Sequence, residues 1–284
     1  MTTLLVLFAL FGVAPLALGL GLTARRLVRP HYASIPGSVL LCAIAFNLVF
    51  FWQELWLVIP KALTPGLHPV LFHNDHDWTG DAPIAELLQG SGAVATLAVG
   101  AIFAAILAAR SGLGQGMRLF CFWMAFQGIS QSFTQLAVGT MVPGNDVGRA
   151  LTYLGAGQEA RIALTVATAA ALAVSGVILA RLFPAELPDG RVHPSTGTSV
   201  ILASAFLSVI LIIPFRVPRS PIETTLIPLL VNLVGAGWTT LGFAGAPAGA
   251  KPAEPARTGS LVPVLCLGAL LLVFQLLLRP GIRF

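Results

Sequence analysis

The chain has 284 residues, 56% of them hydrophobic and only 10% charged, with a mean hydropathy of +0.88. These values exclude an ordinary soluble globular domain, in which about a quarter of the residues are charged, and make the lipid bilayer the expected partner of most of the surface. The net charge of +5 comes from 16 Lys and Arg spread along the chain without a basic run interleaved with aromatics, so no nucleic acid is expected as a partner.

The N-terminal run MTTLLVLFALFGVAPLALGLGLTARRLVR carries its basic residues after the apolar stretch. That order is wrong for a cleaved signal peptide and is expected of a first span entering with its N-terminus outside. Apolar stretches then mark about eight spans, at 3–24, 37–60, 84–109, 117–141, 150–182, 198–215, 221–245 and 261–278. Each is expected to be helical, since a lipid-exposed strand or loop would leave backbone N–H and C=O groups unpaired. The fold class expected is all-α: a polytopic transmembrane helical bundle, one integral membrane domain over 1–284. The Arg25, Arg26 and Arg29 cluster, supported by Arg110, Arg118, Arg181, Arg191, Lys251 and Arg257 in later connections on the same side, predicts an N-out/C-out orientation.

The second span holds Glu54, and the connection after it, from Lys61 to Asp81, holds His68, His73, Asp75 and His76. A carboxylate inside a span is costly unless it meets a cation, is protonated or faces a wet cavity. Imidazole and carboxylate side chains together offer the ligand types of Zn, Cu or Fe. The candidate metal ligands are therefore His68, His73, His76 and Asp75. His73 and His76 would share a face if the connection were locally helical. The spacing HNDH matches no strong metal motif, and the competing reading is an interfacial loop whose His and Trp sit among headgroups. Thr64-Pro65-Gly66 is expected to end the second helix, and Asp81 to cap the third, with Pro83 in its first turn.

In the third span Gly92, Thr96, Gly100, Ala104 and Ala108 recur every four residues, and in the fifth Ala163, Ala167, Ala171 and Ser175 do the same. Small-residue ridges allow close helix packing in lipid, so both spans are expected to be buried in the bundle. The fourth span carries Gln127, Gln131 and Gln135 at i, i+4 and i+8 on one helix face. These amides must point into the bundle, as glue between helices or as cavity lining. With Glu159 and Arg161 of the fifth span they are the candidate ligand-binding groups, and Arg161 is a candidate partner for Glu54 or Glu86. Pro214, Pro218 and Pro221 are expected to break the chain between the sixth and seventh spans. Residues 246–260, rich in Pro, Ala and Gly, read as a flexible cytoplasmic linker. Cys42, Cys121 and Cys266 all lie in apolar runs without a CxxC pair, so neither a disulfide framework nor a thiolate zinc site is indicated.

These residues support a membrane protein with an outer-side His/carboxylate site that binds a metal and, as an extension, hydrolyses a substrate. In that extension Glu54 or Glu86 is the general base toward a metal-bound water. Two alternatives come from other classes. One is a small-solute or ion transporter, which needs a polar trail to the inner side, where Asn47, Ser175 and Asn232 look isolated. The other is a non-catalytic subunit of a larger membrane complex, docked to partner subunits. The composition fits the inner membrane if the chain is bacterial.

Overall fold

The computed structural model describes residues 6–23, 34–109, 112–185, 191–245 and 252–284. Arg25, Arg26, Arg29, Arg110 and Lys251, on which the expected orientation leans, lie outside the described residues, as does the 246–251 part of the linker.

The chain forms helices α1 (Phe8–Thr23), α2 (Ile35–Ala62), α3 (Ile84–Ala109), α4 (Gln115–Met141), α5 (Asp146–Tyr153), α6 (Gln158–Leu182), α7 (Pro194–Arg216), α8 (Ile222–Ala244) and α9 (Leu261–Leu278). Six of them, α2, α3 and α6 to α9, are long and apolar enough to cross a membrane. At 27 residues α4 is also long, but its glutamine stripe lowers its hydropathy. Among the described residues this is a helical bundle with little sheet, consistent with a membrane protein.

Packing sorts the helices. The α8 rod is 72% buried, α2 56% and α7 50%, whereas α3, α6 and α9 are 28%, 22% and 17% buried. The expectation that the third and fifth spans sit inside the bundle is therefore corrected: both are peripheral. The ridge of α3 does make a close contact, since a Cβ on Gly100 would lie 2.7 Å from the Ile129 backbone nitrogen of α4. Its other face leaves Val94 and Ile102 exposed. A ridge on one side seats a helix against one neighbour; it does not surround it. In α6 the packed face is Thr168, Leu172, Gly176 and Leu179, while Ala163 and Ala167 are exposed.

Further corrections concern boundaries. The expected span 150–182 is two helices, because α5 ends at Tyr153 and Gly155 turns the chain at φ +68° before α6 begins. The cap of α3 is Pro83, not Asp81. Pro214 sits inside α7, which continues to Arg216, so the break spans only Val217–Pro221. The second half of the supposed linker is docked: β4 (Pro252–Ala253) pairs in parallel with β3 (Arg191–Val192), and Ala256 N–H donates to Pro184 O at 3.0 Å.

The loop after α2 is a β-hairpin, so the shared helical face considered for His73 and His76 does not form. Strands β1 (His68–Leu71) and β2 (His76–Thr79) pair antiparallel, turned at His73-Asn74 with Phe72 N–H donating to Asp75 O at 2.8 Å. The C-terminal strand β5 (Ile282–Arg283) adds to the other edge of β1. The hairpin and the C-terminus therefore share one end of the bundle. The short β3–β4 sheet lies at the other end, where Arg118, in the first turn of α4, donates to Ala185 O at 3.2 Å.

Candidate metal centre and its pocket

Helices α2, α4, α5, α7 and α8 and the hairpin line the site, and α3 supports it through Gln89. Glu54 lies about two turns below the hairpin end of α2, where its side chain is buried. β2 begins at His76, and the hairpin turn is anchored over the bundle from below. Asn74 Nδ2 donates to Phe215 O at 3.1 Å, and His73 Nε2–H donates to Val217 O at 3.3 Å, both at the end of α7. That anchoring brings His76 over Glu54, with Nδ1 2.8 Å from Glu54 Oε2.

The second nitrogen of His76 is committed too, its Nε2 lying 2.9 Å from Gln89 Oε1 at the kink of α3. Lys61 Nζ, which donates to Leu57 O at 2.6 Å, also points at Gln89 Oε1 at 3.4 Å. The ammonium fixes the amide with its oxygen inward, so His76 Nε2 is the N–H that donates. Trp78 stacks on the imidazole, with centroids 6.0 Å apart and planes at 9°. Lys61 and Arg149 lie against the Trp78 ring at 4.7 and 4.8 Å.

Nδ1 of His76 is thus presented to carboxylates. A ligand atom from each of Glu54, Asp75 and His76 lies within 4.8 Å of the other two. Asp75 is itself steadied by an ion pair with Arg219. Burial lowers the proton affinity of His76, but the hydrogen bond and charge of Glu54 outweigh it, leaving the imidazole pKa above its ordinary value. A protonated His76 would donate from both ring nitrogens, to Glu54 and to Gln89, as a buried pair with Glu54.

These groups open onto a cavity of about 290 Å³ whose walls include Gln131, Gln135, Asp146 and Arg216. Gln131 Oε1, Gln135 Oε1 and Thr134 Oγ1 are buried without a hydrogen-bond partner among the described residues. Since buried polar atoms are nearly always satisfied, these acceptors are available to water or a ligand. Asp146, at the start of α5, has its pKa raised by burial and by the charge of Glu54.

The glutamine stripe serves both purposes weighed for it. Running toward the hairpin end, Trp123 Nε1 donates to Ser38 Oγ, Gln127 Nε2 to Cys42 Sγ, Gln131 Nε2 to Phe46 O and Gln135 Nε2 to Gln53 Oε1, at 3.0, 3.3, 3.2 and 2.9 Å. This ladder runs up parallel helices α2 and α4. Gln127 also bonds Asn232 Oδ1 at 2.8 Å, so it is glue below the cavity, and Asn232 is not isolated.

Other sequence candidates fall away from the pocket. His68 is exposed in β1, and buried His73 turns to Val217 O, its pKa lowered by burial; neither joins the ligand group. Glu86 is held by both oxygens to Arg149 at 2.6 Å and lines a separate surface depression, apart from the ligand group. Glu159 is exposed at the start of α6. Arg161 pairs with neither Glu54 nor Glu86; it donates to Gly139 O at 3.0 Å and Ala156 O at 3.1 Å, tying α4 to α6. Sequence reasoning missed the roles of Gln89, Asp146 and Arg216. Arg216 carried one signal, a cation at a helix end beside a proline break.

No family matches the chain, and neither a curated protein nor a solved structure is significantly similar to it.

Proposed function

We propose that this is an integral membrane protein that binds a divalent transition metal, zinc by ligand type, through Glu54, Asp75 and His76 at the non-cytoplasmic end of an eight-span, N-out/C-out bundle. The observation that carries the reading is the convergence of those three ligand atoms within 4.8 Å of one another, with the second His76 nitrogen held by Gln89. A ligating histidine characteristically donates its other N–H to a fixed oxygen, which sets the tautomer and ring orientation. Ligand atoms around zinc at ~2.0–2.1 Å stand roughly 3.3 Å apart, so the group needs only a small inward closure.

A transporter is disfavoured by the opposite half of the bundle. Below Gln127 the polar ladder ends at Trp123 and Ser38. There Phe122, Trp123, Phe126, Phe183 and Phe243 pack ring to ring and are fully or nearly fully buried, closing the path with apolar surface. A pocket open to one side suits binding or chemistry at one face. Metal-dependent hydrolysis is a second reading, favoured by Asp146: this half-buried carboxyl faces the same cavity and replaces Glu86 as the available base.

The test is metal content by mass spectrometry after zinc loading and desalting. Wild type is expected to retain about one equivalent, and Glu54→Gln and His76→Gln to lose it while remaining monodisperse. A wild-type protein that retains none, or variants that retain as much as wild type, overturns the reading.

A further inference from the structure

Arg216 ends α7 and is 3% exposed. Its Nε donates to Glu223 O at 2.6 Å, and its guanidinium lies 4.2 Å from the Phe50 ring centroid. Among the described residues neither terminal nitrogen has a hydrogen-bond partner, although the residue lines the cavity beside Glu54. Of the four carboxylates that line the same cavity, Asp146 makes no ion pair with Arg216 and the other three are engaged elsewhere. Glu223 accepts from Ser220 N and Oγ at 3.1 and 2.8 Å, Asp75 is paired with Arg219, and Glu54 with His76. A desolvated guanidinium with two idle donors is costly to keep, and its fork matches the geometry of an oxyanion.

The wall next to it is apolar: Phe50, Ile222, Ile227, Leu230 and Val231 line the same cavity, and Ile222 and Ile227 are exposed on the outside of the bundle. We infer that Arg216 binds the oxyanion of an amphipathic ligand, of the kind carried by an alkyl phosphate, whose apolar part lies along the Ile222–Val231 wall. This deepens the metal reading by naming the ligand class that shares the pocket, and it rests on that reading only for where the ligand sits relative to Glu54 and His76.

The experiment measures binding of octyl phosphate, inorganic phosphate and octanol to purified protein by calorimetry, with metal content recorded on the same samples. Wild type is expected to bind octyl phosphate at least tenfold more tightly than either inorganic phosphate or octanol. Arg216→Gln is expected to lose at least tenfold, and Arg216→Lys to fall between, with zinc retained in both. Equal binding of octyl phosphate and octanol, or an Arg216→Gln protein within twofold of wild type, overturns the inference. Inorganic phosphate binding as tightly as octyl phosphate overturns the amphipathic part and leaves a free-oxyanion site. If neither variant is monodisperse, the three wild-type affinities decide the matter. Arg216-dependent binding without zinc uptake sinks the metal reading alone; zinc uptake without it sinks this inference alone.

Discussion

At the scale of single residues, His76 decides what the pocket can hold, because one nitrogen is spent on Gln89 and the other is contested. With a proton on Nδ1 the imidazole pairs with Glu54; were the proposed metal bound there, that proton would have to leave. The two states respond to pH in opposite directions. Because the folded pKa of His76 is raised above the ordinary 6.5, the ion pair stabilises the metal-free protein fully below about that pH. Its contribution is lost as pH rises through the higher folded value. Zinc affinity should instead rise with pH across the same window. Melting temperature of the metal-free protein and zinc affinity, both followed from pH 5 to 9, should therefore slope in opposite senses, and Glu54→Gln should flatten the first. Parallel slopes would mean that proton and metal do not share Nδ1.

At the scale of elements, the close crossing of α3 and α4 is sensitive to bulk. A Cβ on Gly128 would reach the Gly100 Cα at 2.6 Å, and one on Gly100 would reach the Ile129 backbone, so the two backbones touch where no side chain can yield. Gly100→Leu must push the helices apart, at a cost of ~1–3 kcal/mol or more for overpacking. A lowered melting temperature and loss of monodispersity are expected. Gly268→Leu serves as a control, since nothing lies within 4 Å of a Cβ built there; equal tolerance of both would remove the α3–α4 crossing. The expectation that ridge-bearing spans lie inside failed for a related reason. A four-residue repeat reports which face touches a neighbour and says nothing of how many neighbours there are, and α3 presents Val94 and Ile102 outward.

At the scale of the whole molecule, the two small sheets mark opposite ends. Hairpin and C-terminal strand share one end, and the β3–β4 pair, with Arg257 N–H 3.4 Å from Gln115 Oε1 at the start of α4, marks the other. Single cysteines at Thr79 and Phe284, in a background lacking Cys42, Cys121 and Cys266, should react with an impermeant maleimide from the same side of the membrane. A cysteine at Gly259 should react from the opposite side. Labelling of Thr79 and Gly259 positions from one side would refute the bundle's two-ended arrangement.

How much was legible beforehand follows from the range of the forces involved. Composition and run length reveal the helical, lipid-solvated class, because every backbone polar group in hydrocarbon must be satisfied within its own segment, and that is a local property. The inward direction of the glutamine row and the cost of Glu54 are legible for the same reason. Tertiary structure alone decided the partners: that Glu54 meets His76 rather than Arg161, that Glu86 is neutralised by Arg149, and that both terminal nitrogens of Arg216 stay unpartnered among the described residues. Those outcomes depend on where the hairpin lands, fixed by Asn74 and His73 on the last carbonyls of a helix more than 140 positions away. No periodicity in the intervening chain encodes that distance, because the hydrogen bonds that set it form only once the bundle has closed.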